Sequence, residues 1–145
     1  MESGLESIPN FGRRLPSHET LEYICGMILD LDPNIRFVGI INNKGKLLTG
    51  QTKKGILVFA TPKDQEMLLM ETALGMRMRK EHDSHLGSVK FTISYSDKIM
   101  LTFPLGDELL CISAEKKINF MTVSFLILKF LEANLDAIME KDGGK

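Results

Sequence analysis

Apolar residues change their period several times along the chain, and each change marks an element. Leu21, Ile24, Cys25 and Ile28 recur three to four residues apart and line one helical face, behind a Ser17 able to cap the first turn. Asp32-Pro33 ends this helix, because proline disfavours a helical residue before it. Phe37-Val38-Gly39-Ile40-Ile41 is short, branched and almost wholly apolar, as a strand covered on both faces would be. Asn42-Asn43-Lys44-Gly45 then supplies turn chemistry before Lys46-Leu47-Leu48, which makes a hairpin. Gly50 to Gly55 is polar and basic, and Ile56 to Ala60 fits either a short strand or a packed loop, with the loop preferred. Thr61-Pro62 and Asp64 open a second helix running to about Glu81. Its proline stands where the missing N–H is not required, and Arg77, Arg79 and Lys80 load its last turn. Val89 to Tyr95, Ile99 to Phe103 and Leu109 to Ser113 read as three strands, and the short links between them demand antiparallel neighbours. A last helix from about Asn119 to Met139 carries its main stripe at Met121, Phe125, Leu128, Leu135 and Ile138. Phe120, Val123, Ile127 and Phe130 add apolar surface beside it, part of which the first helix would cover.

The resulting order is α, β, β, α, β, β, β, α within one domain, expected over residues 17–139. Residues 1–16 mix Gly, Ser, Pro and charge and read as a flexible arm, and residues 140–145 as a frayed tail. A chain of 145 residues with 43% hydrophobic and 26% charged residues is ordinary for a globular domain and needs neither metal nor disulfide to fold. Eighteen basic against nineteen acidic residues remove the global positive field that nucleic-acid binders use, so no nucleic-acid partner is expected. The N-terminal stretch is too broken by charge and proline for a signal peptide, and Phe120 to Leu131 is too short to span a bilayer. Cys25 and Cys111 lie far apart in apolar runs, as reduced core thiols would. These features predict a cytoplasmic protein.

Few residues invite catalytic chemistry. Gly45-Lys46-Leu47-Leu48-Thr49-Gly50-Gln51-Thr52 comes within one residue of a phosphate-binding loop, but Gln51 stands where the lysine is required and the stretch belongs to a hairpin. His82 and His85, beside Glu81 and Asp83, are the one cluster with metal-ligand spacing, but a site wants three or four ligands, and a solvated turn after the helix is the preferred reading. Arg77, Arg79 and Lys80 could form a small anionic-lipid or nucleic-acid patch, but the helix dipole alone favours cations there and is the preferred reading. We expect no catalytic residue, cofactor or metal.

The second helix carries more apolar surface than a single buried face needs: Met67, Leu68, Leu69, Met70, Ala73, Leu74, Met76 and Met78. Methionine adapts to surfaces that must fit a partner, while the alternative is that a helix lying on a sheet simply buries a wide face. The element order resembles the roadblock domain of the wider profilin-like and longin-like group. Ile35 to Leu47 is similar to that family's opening hairpin, and Phe103 to Ser113 to its last. His85-Leu86-Gly87 and Phe103-Pro104-Leu105 also resemble stretches of a small, uncharacterised group of archaeal roadblock-like proteins. The resemblance implies an α+β fold, αββαβββα, with a five-stranded antiparallel sheet, the central helix on one face and the first and last helices on the other. It further implies a non-enzymatic homodimeric scaffold or regulator, with a small GTPase or other signalling protein as partner. The second helix would pair with its copy through Met67, Met70, Leu74 and Met78. A rival reading is a small-molecule sensor of the profilin-like or PAS-like kind, holding a ligand between sheet and helix.

Overall fold

The structure, a computed structural model, describes residues 18–53 and 61–134. The elements run α1 (His18–Leu29), β1 (Ile35–Ile41), β2 (Leu47–Thr52), α2 (Pro62–Lys80), α3 (Asp83–Leu86), β3 (Thr92–Ser94), β4 (Lys98–Leu105), β5 (Glu108–Glu115) and α4 (Phe120–Ala133). The strands form one antiparallel sheet in the order β2-β1-β5-β4-β3, with β1 and β5 as its central pair. This is the expected α+β architecture, with one short helix, α3, added where a turn was anticipated.

Strand alternation divides the interior in two. On β5, Leu110, Ile112 and Ala114 point into a core of twenty buried side chains shared with α1 and α4, while Leu109 and Cys111 point to the other face. There, under α2, the second cluster contains, among the described residues, Ile41, Leu69, Ala73, Leu109 and Cys111, with Met76 packed against it. Covered from both sides, β1 is buried at every position but Phe37, as its unbroken apolar run requires. An extra residue in its pairing with β5 falls at Arg36, whose Nε meets Glu115 Oε2 at 2.9 Å. Gln51 of β2 ties down α1, its Nε2 donating to the Glu22 carbonyl, and Lys53, just past β2, donates from Nζ to the Asp32 carbonyl in the turn after α1, each at 2.9 Å.

Several boundaries differ from expectation. β2 continues through Thr49 to Thr52 because its backbone pairs with β1 whatever the polarity of its side chains. β3 shrinks to Thr92–Ser94, and β4 and β5 lengthen until only Gly106 and Asp107 separate them, Pro104 being tolerated opposite Leu109 near the hairpin end. α4 also turns the other way. Val123, Ser124, Ile127, Phe130 and Leu131 face the sheet, whereas Met121 and Phe125 are 48% and 54% exposed. Two apolar stripes compete on this helix, and the one next to Ile118 faces the core. The expected arm, the tail, Ser17, the 56–60 segment, Leu135 and Ile138 lie outside the described residues.

Candidate interaction surface

α2 begins with Thr61, whose Oγ1 accepts from the Asp64 amide at 3.1 Å, followed by Pro62 in the first turn. This is the start that the sequence specifies. From there the helix crosses the sheet with only Leu69 and Ala73 buried. Met67, Met70, Leu74 and Met78 are 53%, 51%, 49% and 62% exposed, and spacings of three and four residues place them on one line away from the sheet. The same spacing extends the line to Lys63 at one end and Glu81 at the other, both exposed and opposite in charge. Leu68, 42% exposed, widens the apolar area on one side.

α2 is in direct backbone contact with the β1–β2 turn. Asn42 Oδ1 accepts from the amides of Lys44 and Lys46 at 2.9 and 3.0 Å, and Gly45 closes the turn at φ +88°. A Cβ on Gly45 would lie 2.5 Å from the Met70 Cα and 2.9 Å from the Leu69 carbonyl. Glycine therefore meets two demands here, a left-handed backbone and direct contact with a helix. A shallow groove of about 400 Å³ runs between this turn and the first half of α2, bordered by Lys44, Lys46 and Glu66. At the other end of the helix, a cleft of about 260 Å³ opens between its last turns, the α3 segment and the β4–β5 turn, with Ala73, Met76 and Leu109 in its floor.

The remaining sequence candidates do not assemble into a reactive site. Cys25 and Cys111 are free and buried, and desolvation by burial pushes both thiols up to about 12. His82 and His85 stack edge to face with centroids 5.3 Å apart, while Asp83 is engaged by Arg79 Nη1 at 2.9 Å. Among the described residues no group of three or more His, Cys, Asp or Glu side chains converges as metal ligands would. The phosphate-loop lookalike is turn and edge strand, with Gln51 bonded to α1. Among the described residues, no helix is long and apolar enough to cross a membrane.

The sequence profile of a family described as "Family of unknown function (DUF6659)" matches residues 17–142. The chain belongs to DUF6659. No curated protein matches it. Among solved structures, the gliding protein MglB of Thermus thermophilus superposes with TM-score 0.68 at 15% identity, covering 87% of this chain and 95% of MglB. An MglB structure of tetrameric arrangement gives 0.68 and 15%, covering 88% of this chain and 95% of that one. A Roadblock/LC7 domain from Streptomyces avermitilis gives 0.59 at 9%, covering 78% and 95%. At such identities the likeness is one of fold, and the DUF6659 chain has the roadblock fold.

In this DUF6659 domain the four expected seam residues do share one exposed line. Lys63 and Glu81 escaped the sequence reading although they continue its spacing, because only apolar positions were counted. The aromatic surface of α4 was also missed. Phe125 meets Phe91 edge to face at 5.2 Å, and Tyr95, 60% exposed, lies 5.4 Å from Phe120 with Lys116 Nζ over its ring at 5.6 Å. Of the stretches Phe103-Pro104-Leu105 and His85-Leu86-Gly87, the first puts Phe103 in the core and the second leaves Leu86 63% exposed.

Proposed function

We propose that this DUF6659 protein is a non-enzymatic homodimeric scaffold or regulator acting in the cytoplasm, with a small GTPase or other signalling protein as partner. The observation that carries the reading is the exposed line Met67, Met70, Leu74 and Met78 on a helix that buries only two of its residues. Four large apolar side chains at one spacing form a self-complementary seam, which a two-fold axis can use twice. The charges at its ends set the direction: antiparallel copies bring Lys63 against Glu81 at both ends, and parallel copies would oppose like charges. The partner class follows from the roadblock resemblance, and the tetrameric arrangement of one MglB structure supports self-association. The sensor reading is less favoured, because large side chains fill the layer between the sheet and α1 and α4.

Light scattering at micromolar concentration tests the seam. Wild type is expected to be a dimer and Met70→Glu a folded monomer with unchanged circular dichroism, since a charge stranded in an apolar seam costs several kcal/mol. Lys63→Glu should weaken association and Lys63→Glu with Glu81→Lys should restore it. A wild-type monomer refutes the homodimer, and a charge swap without rescue refutes the antiparallel arrangement.

A further inference from the structure

The cleft beyond the seam has features that pairing of two α2 helices does not use. Its floor is apolar, made by Ala73, Met76, Val89 and Leu109, and its rim carries Arg77 and Lys80. Arg79 also lines it, but its guanidinium is committed: Nη1 donates to Asp83 Oδ1 at 2.9 Å and Nη2 to the Gly87 carbonyl at 3.2 Å. That fork joins the end of α2 to the α3 segment and holds the wall of the cleft in place. Among the described residues neither Arg77 nor Lys80 has an ion-pair partner. With Asp83 balanced by Arg79, the lining keeps two uncompensated positive charges on a chain whose net charge is −1. The carbonyl end of α2 offsets only about half a charge.

We propose that this cleft binds a small carboxylate with a short apolar tail, the carboxylate meeting Arg77 and Lys80 and the tail lying over Ala73, Met76 and Leu109. A volume of about 260 Å³ suits a ligand of modest size, below the usual range for drug-sized molecules. An apolar floor gives a tail somewhere to go, which a free inorganic anion would not exploit. Arginine and lysine side by side provide charge-assisted hydrogen bonds to both carboxylate oxygens.

Titration of the full-length protein with sodium hexanoate, followed by amide NMR, tests this. Hexanoate should shift Ala73, Met76, Val89 and Leu109 saturably with a dissociation constant of about 1 mM, the scale open to so small a ligand. Hexanamide should bind at least about tenfold more weakly, as should hexanoate to an Arg77→Gln, Lys80→Gln double variant with a dispersed spectrum, a tenfold loss being about what one charged hydrogen bond contributes. Equal binding of hexanamide, or no saturation at tens of millimolar hexanoate, overturns the proposal. Saturation by a capped acidic tripeptide but not by hexanoate also overturns it and assigns the cleft to a protein segment. The Met70→Glu variant should bind hexanoate as wild type does, so failure of the seam and failure of the cleft are read separately.

Discussion

Replacing Gly45 by alanine adds one methyl group and should disturb the molecule at the turn and in α2. The turn needs φ +88° at this residue, which costs an L side chain about 1–2 kcal/mol. The added Cβ would also stand 2.5 Å from the Met70 Cα and 2.8 Å from the Met70 amide nitrogen. These are backbone atoms, so no rotamer change relieves the overlap, and forcing the elements apart costs roughly a further 1–3 kcal/mol. The expected total is about 2–5 kcal/mol, a large share of a typical domain stability of about 5–15 kcal/mol. Urea unfolding measures the loss, and amide NMR locates it. Leu69, Met70 and Ala73 should shift, whereas the β4–β5 hairpin, whose two-residue turn has its own Gly106, should not. Gly87→Ala supplies a control, since Gly87 also has positive φ but nothing within 4 Å of a Cβ. A cost below about 1 kcal/mol for Gly45→Ala, or unchanged α2 resonances, would show that the turn does not brace the helix.

Two further outcomes follow from the core. Both thiols are raised in the folded state, so their contribution to stability is complete below the unfolded thiol pKa of about 8.5 and is lost as pH climbs towards the folded value. Between pH ~8 and ~10 wild type should lose about 2 kcal/mol per thiol more than a Cys25→Ala, Cys111→Ala variant. Parallel urea-stability profiles would refute this, as would rapid alkylation of either thiol in the native protein. The Ser124 hydroxyl is buried in α4 with no hydrogen-bond partner among the described residues, so Ser124→Ala should stabilise the domain by about 1 kcal/mol, and a destabilisation of that size would reveal a partner.

Much of the fold was legible because elements with a sharp period announce themselves. The buried β1 run, the Thr61-Pro62 start of α2 and the spacing of its exposed line all carry local signals that tertiary packing did not override. α4 was misread because apolar residues occupy most of its circumference, and periodicity cannot choose between two stripes when only one can face a sheet. β2 was cut short because its pairing with β1 depends on backbone groups, to which the polar residues Thr49 to Thr52 give no clue. The exposed line on α2 was visible as excess apolar residues on one helix. The cleft was not, since Arg77 and Lys80 come from α2 while Val89 and Leu109 come from distant segments, and sequence spacing cannot bring them together.

The unequal division of the interior has a consequence for motion. With twenty buried side chains on one face and five on the other among the described residues, the two halves of the molecule should open at different free energies. α2 should be the first large element to detach, its amides exchanging with solvent through openings that leave β1, β5, α1 and α4 intact. Anything that binds only the docked helix draws on that local reserve. A second copy seated on Met70 and Leu74 would slow exchange along α2 before it raised the melting temperature of the whole domain, so occupancy of this surface would register first as a change in the lifetime of one helix.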